Sequence, residues 1–203
     1  MKDDLRRSMR AARRALSGDE RHRAATSLTR IIATTAWYRD SRTIAAYVTI
    51  DGEIDLTPIT GLALEAGKRV FLPIVEKDGL LRFAESEPGA SMRPNRYGVP
   101  EPSRDTTRFI DCRELDLALV PVVAFDAQGQ RLGMGAGFYD RTFAFLNAHP
   151  RAARPILLGV AFDLQFTAKI SPDPWDVRLN GVVTERRLYD PRDANRASSA
   201  RDD

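Results

Sequence analysis

The chain has 203 residues, 43% hydrophobic and 29% charged, enough apolar material to bury the core of one sizeable domain. A formal net charge of +3 is too small to demand a nucleic-acid partner, and the single cysteine, Cys112, excludes an internal disulfide framework and a cysteine-built zinc site. No apolar run is long enough for a signal peptide or a membrane span, so with the lone thiol a cytoplasmic protein without a membrane partner is expected.

Charge is unevenly spread. Residues 1–30 hold nine Lys/Arg against four Asp/Glu, so the basic excess is an N-terminal property. Residues 2–16 read as a helix with Leu5, Met9, Ala12 and Leu16 on its apolar stripe and Lys2, Arg6, Arg10 and Arg13 or Arg14 on another face. Ser17-Gly-Asp-Glu20 is a capping box, opening a second helix that buries Ala24, Leu28, Ile31 and Ile32. Thr43 to Val48 predicts a strand, 49–55 a loop containing Glu53, and Asp55 a helix cap with Pro58 in the first turn. Gly67 ends that helix, and Lys77-Asp-Gly79 joins strands at 69–75 and 80–84. Residues 86–108 read as an ordered excursion rich in Pro, Arg and Gly. Asp116 to Phe125 is a near-continuous apolar run, as in a central strand. A turn at 126–130, a helix from Phe138 to Leu146 and strands at 155–162 and 181–184 complete a single domain over 1–189, with 190–203 expected to be a disordered tail. Alternating strands and helices predict an α/β fold with a mixed, mostly parallel sheet. The histidines, His22 and His149, are far apart and read as surface residues.

Chemistry concentrates in Arg131-Leu-Gly-Met-Gly-Ala-Gly-Phe-Tyr-Asp-Arg141. Glycines at 133, 135 and 137 let backbone N–H groups converge on an anion, a following helix start adds donors, and Asp140 suits a magnesium ion beside a phosphate. This is neither a P-loop, lacking Gly-Lys-Ser/Thr, nor a dinucleotide fingerprint, because Phe stands at 138. Lys2 and Arg6, one helical turn apart, can serve a polyphosphate, although a solvated basic face explains them equally. Glu53 follows Asp51-Gly52 at a strand end, where α/β sheets bind ligands, although a solvated loop carboxylate explains it as well. Asp176 sits in the stiff turn Pro172-Asp-Pro-Trp-Asp-Val, either as a metal ligand or as a turn cap. Tyr97-Gly-Val-Pro-Glu-Pro102 either shapes a pocket or seals a sheet edge.

Taken together, Pro121 to Arg141, Tyr97 to Pro102, Glu53-Ile-Asp55, Lys2-x-x-x-Arg6 and Asp176 with Gly181-Val-Val-Thr-Glu185 resemble the 5-formyltetrahydrofolate cyclo-ligase family, across residues 2–186. The resemblance implies a three-layer α/β/α sandwich of the sugar-phosphate isomerase and CoA-transferase-like type, and a monomer with no nucleic-acid partner. It implies ATP as co-substrate, Mg²⁺, and conversion of 5-formyltetrahydrofolate to 5,10-methenyltetrahydrofolate with release of ADP and phosphate. By the same resemblance, Lys2, Arg6, Arg131, Leu132, Gly133, Met134, Gly135, Ala136, Gly137, Phe138 and Tyr139 hold ATP. Arg6, Val48, Glu53, Met134, Gly135, Ala136, Gly137 and Phe138 contact the folate. Asp140 and Asp176 hold the metal, and Arg131 and Lys2 are the catalytic cations, whose loss is expected to damage turnover more than folding. The sequence departs from the family at Phe138, often Tyr, and at Asn180, often Asp. Three other readings compete: a relative acting on another N-formyl compound, an NAD-binding oxidoreductase, and a non-enzymatic RNA-binding protein using the N-terminal helix.

Overall fold

The computed structural model describes residues 2–86, 89, 91–103, 108–148 and 154–193. Helix α1 (Lys2–Arg14) carries Asp3 and Asp4 in its first turn and Arg13 and Arg14 in its last, the arrangement the helix dipole favours. The capping box forms as expected: Ser17 Oγ accepts from the Glu20 N–H and the Glu20 carboxylate accepts from the Ser17 N–H, starting α2 (Gly18–Thr34). A short α3 (Ala36–Arg39) leads into β1 (Thr43–Ala45). Then come α4 (Thr57–Glu65) and the hairpin of β2 (Arg69–Val75) and β3 (Leu81–Glu85). Asp55 accepts from the Thr57 N–H just ahead of α4, while the cap position itself belongs to Leu56. A small hairpin follows, β4 (Met92–Pro94) and β5 (Pro100–Pro102), and then β6 (Phe109–Ile110).

The long apolar run is not one strand. It divides into β7 (Leu117–Pro121) and β8 (Ala124–Phe125), and β8 leaves the main sheet to pair with β9 (Arg131–Leu132). The expected helix after the glycine loop is also divided, into α5 (Phe138–Thr142) and α6 (Phe145–Ala148). The chain ends in β10 (Ile156–Val160), β11 (Gly181–Val183) and β12 (Leu188–Tyr189). Residues 190–193 are not loose: Pro191 is buried and lies beside Gly129. The rest of the expected tail, 194–203, lies outside the described residues, as do His149 and residues 104–107 of the excursion.

The main sheet among the described residues has the order β12-β11-β10-β7-β1-β2-β3-β6. Strands β11, β10, β7, β1 and β2 are parallel, and β12, β3 and β6 are antiparallel additions at the edges. Alternate residues of each central strand face opposite ways. Leu117, Leu119, Leu158 and Val160 meet Ala24, Leu28 and Ile32 of α2 and Ile59 and Ala63 of α4 in one core. Ala118, Val120, Leu157 and Val182 pack with Phe143 and the partly buried Phe138, Tyr139 and Phe145 in the other. This is the three-layer sandwich expected. Helix α1 stands apart from both layers, with Leu5 and Met9 covering a small third core of Ala124, Leu132 and Ile170.

The strand order reverses between β1 and β7. Chain that follows β1 moves out to β2, while chain that follows β7 moves the other way to β10. At such a switch point the carboxyl ends of the two strands diverge and leave a crevice.

Candidate functional site

That crevice is a cavity of about 350 Å³. Its floor holds Tyr47 and Val48, just beyond β1, and Pro121 at the end of β7. One wall is the glycine loop and α5, from Met134 to Asp140, and the other is Tyr97 to Glu101 of the β4–β5 hairpin. Glu53 enters from the loop after β1.

The glycine loop is left-handed twice. Gly135 has φ +104° and Gly137, which precedes α5, has φ +67°. Both values are costly for residues with a Cβ. Among the described residues, no backbone N–H from Gly133 to Gly137 donates a hydrogen bond within the chain. A row of unspent donors at a cavity edge is the basic element of an anion cradle. Helix α5 is shorter than expected, so these amides, more than a long dipole, make up the positive edge.

Helix α1 brings its cations to the same edge. Arg6 Nε donates to Gly133 O at 2.9 Å, and its guanidinium lies beside Gly135. Lys2 Nζ donates to Asp173 at 2.7 Å, and both side chains are partly exposed. Asp173 belongs to the turn of Asp176, whose Oδ2 accepts from the Asp173 N–H. Asp176 therefore does cap its turn, through one oxygen.

Arg131 is not a free phosphate-binding cation. Its side chain is 5% exposed, and Nη2 donates to Asp140 Oδ1 at 2.5 Å. Nη1 donates to the Val177 carbonyl, and the Val177 N–H returns a bond to the same Asp140 oxygen. Burial pulls the guanidinium below its ordinary range, and the charges of Asp140 and Asp176 oppose that pull. Arginine stays charged under such pressure. Asp140 and Asp176 thus flank one buried cation, each engaged through a single oxygen among the described residues. Two carboxylates with oxygens to spare, near a row of unspent amides, have the chemistry that suits a magnesium ion, which is typically held by one or two carboxylates plus phosphates.

Some expected residues stand elsewhere. Leu132 is 4% exposed and packs in the third core, so its side chain is spent on packing and it does not line the cavity. Asn180 Oδ1 accepts from the Leu157 N–H at 2.7 Å and clasps β10, which explains an amide there without a metal. Phe138 has no need of a hydroxyl: its ring meets Tyr97 edge-on at 5.7 Å and lies under Arg141 at 5.5 Å. Glu101 accepts from the Val75 N–H at 2.8 Å and from Asn95 at 2.7 Å, so it fixes the hairpin wall to the sheet.

A cluster that the sequence reading missed lies behind Glu53. Arg13, assigned to the polar face of α1, is fully buried, while Ala12, assigned to the apolar stripe, is exposed. Arg13 donates to the Asp51 carbonyl at 2.9 Å and to the Asp51 carboxylate at 2.8 Å, and Nη2 lies 3.5 Å from Glu53 Oε1. Arg10 and Arg14 reach the same Asp51 carboxylate. Burial opposes ionisation of Asp51, but its bonds from Arg10, Arg14 and Arg13 win and hold it at about 2. Glu53 is 8% exposed; burial pushes its carboxyl up to about 7, against Arg13 and the Ile50 N–H. The visible signal was Asp51-Gly52 two residues before an acid.

Comparison with known proteins follows the same lines. The 5-formyltetrahydrofolate cyclo-ligase family model matches residues 1–185. The Escherichia coli (strain K12) 5-formyltetrahydrofolate cyclo-ligase is 37% identical over 152 residues, 74% of this chain and 81% of that protein. The Haemophilus influenzae enzyme of the same name is 32% identical over 184 residues, 90% of this chain and 96% of that one. The solution structure of Aquifex aeolicus 5,10-methenyltetrahydrofolate synthetase superposes with a TM-score of 0.79 at 29% identity, covering 94% of this chain and 93% of that one. Membership of such a family implies an ATP-dependent ligase. With family model, full-length relatives and solved fold in agreement, the chain belongs to the 5-formyltetrahydrofolate cyclo-ligase family and is a ligase of that activity.

Proposed function

We propose that ATP lies along the glycine loop with its phosphates on the N–H groups of Gly133 to Gly137, and that 5-formyltetrahydrofolate fills the cavity between that loop, Glu53 and the Tyr97 hairpin. The single observation carrying this reading is the unspent row of amides opening onto the same cavity as a buried carboxylate. Lys2 and Arg6 add positive charge at the phosphate end, and Arg131 holds Asp140 in place. Asp140 and Asp176 are the residues that would hold Mg²⁺, which offsets phosphate charge when bound.

The chemistry explains the need for this arrangement. The N-formyl oxygen is amide-like and a poor leaving group. Transfer of the terminal phosphoryl group to it makes a phosphate leaving group and releases ADP. The folate N10 attacks the activated carbon and loses its proton, and departure of phosphate leaves the methenyl bridge. The protein aligns the reactants and neutralises charge, as in other phosphoryl transfers. Glu53 offers an acceptor to the folate's N–H donors, and the apolar walls exclude water. Cys112 has no part in this: burial pushes its thiol up to about 11, and it fits a reducing cytoplasm.

The test is incubation of the protein with 5-formyltetrahydrofolate and Mg-ATP while the near-ultraviolet absorbance of the methenyl product is followed. Growth of that band with ATP consumption, and none with ATP omitted, is expected. ATP consumption without the band would point to a different N-formyl substrate.

A further inference from the structure

The buried cluster behind Glu53 has an arrangement that folding alone does not require. Asp51 has φ +53°, a left-handed conformation unusual for a residue with a side chain. The turn aims its carboxylate back at α1, and Gly52 after it packs against the Arg14 backbone, with room for a Cβ only at 3.4 Å. Two residues on, Glu53 enters the cavity. A fully buried arginine therefore spans both acids, gripping Asp51 firmly and Glu53 at 3.5 Å. Backbone strain at such a junction is retained when the surrounding contacts over-determine it.

We infer that Arg13 is a positioning residue that clamps the Glu53 carboxylate from behind, opposing its protonation and directing it into the cavity for the folate. This rests on the reading of Glu53 as the folate's acceptor. Charged and titratable groups face Glu53 from each element around it: Arg13 and Arg10 from α1, Asp51 from its own loop, Tyr47 from the end of β1 and Tyr139 from α5. Tyr47 is buried and Tyr139 partly buried, and loss of solvent holds both in the neutral form. Asp51 is ionised at every pH of interest. The balance at Glu53 is thus between a cation that favours its charge and an anion that opposes it, and the two can be removed separately.

The experiment is the pH dependence of kcat/KM, read by ADP release, for the wild type, Arg13→Met, Arg13→Lys, Asp51→Asn and Glu53→Gln. In the free enzyme, activity should rise through an acid limb near the Glu53 ionisation. Arg13→Met should move that limb up by about one pH unit or more, as expected for a lost opposite charge within about 4–6 Å. Asp51→Asn removes the opposing charge and should move it down, and Arg13→Lys should leave it near the wild-type position. Opposed shifts cannot come from general damage to the fold. A limb unmoved in both variants, or displaced the same way in both, overturns the clamp. If Arg13→Met fails to fold, Arg13→Gln takes its place: an upward shift supports the clamp and an unmoved limb overturns it. Glu53→Gln with full activity and an intact limb would instead sink the reading of Glu53 itself, whereas its loss of the limb beside unmoved Arg13 and Asp51 variants would sink the clamp alone.

Discussion

Arg131 and Asp140 meet at 2.5 Å with side-chain exposures of 5% and 22%. The pair is closed on its far side by Val177, which accepts from the arginine and donates to the aspartate. Removing one member of a buried pair strands the other. Arg131→Ala should therefore cost about 3–5 kcal/mol of stability as well as activity. This departs from the sequence-based expectation that turnover suffers more than folding. Arg131→Lys keeps the charge but loses the planar fork and should fall between. Urea unfolding of the three proteins measures this, and an unshifted midpoint for Arg131→Ala would show that the pair is not structural.

Lys2 is the opposite case. Its bond to Asp173 joins side chains 34% and 44% exposed, and such pairs add less than about 1 kcal/mol. Lys2→Ala should leave the melting temperature nearly unchanged and lower kcat by roughly a hundredfold, the usual effect of losing one charge-stabilising group. Full activity would remove Lys2 from the chemistry.

Gly135 separates backbone shape from side-chain space. A Cβ there would meet nothing nearer than Arg6 at 3.9 Å, yet φ is +104°. Gly135→Ala must either bear strain of order 1–3 kcal/mol or flatten the loop and turn its amides away. The rise in melting temperature caused by Mg-ATP should shrink sharply, while folate binding alone changes less. An unaltered nucleotide response would argue against the amide cradle.

Glu53 also carries a stability signature. Its carboxyl is raised from 4.5 to about 7, so the folded state takes up a proton more readily than the unfolded chain. The favourable contribution of the protonated form is complete below pH 4.5 and is lost as pH rises through 7. Glu53→Gln mimics the neutral form. It should equal the wild type near pH 4.5 and exceed it at pH 8, by about 3 kcal/mol as an order of magnitude. Urea midpoints at the two values test it, and equal stability at pH 8 would contradict a buried, costly carboxylate.

What was legible in the sequence was local chemistry. The capping box, the Lys77-Asp-Gly79 hairpin, the glycine loop and the parallel core each rest on a few neighbouring residues whose preferences agree. Illegible features depended on distant partners. The run from Leu117 to Phe125 announces burial, but hydrophobicity does not say which sheet each part joins, so the division at Val122 and Val123 was hidden. Arg13 was sorted by charge to the polar face because its burial is bought by Asp51, 38 residues away. The expected helix over 138–146 broke at Phe143, which turns into the core instead of continuing the helix. In the site, residue types pointed to the loop whose backbone N–H groups stand unspent at the cavity edge. They could not show that Arg131 braces Asp140, or that Leu132 faces inward.

One consequence concerns synthesis. The C-terminal half of α1 finds Asp51 soon after it leaves the ribosome, but Arg6 waits 127 residues for Gly133 and Lys2 waits 171 for Asp173. Docking of that leading segment must follow emergence of nearly everything else. A nascent or truncated chain that ends before Asp173 lacks β11 and β12 as well, and although Arg6 can already meet Gly133, the first turn of α1 is left without its last anchor.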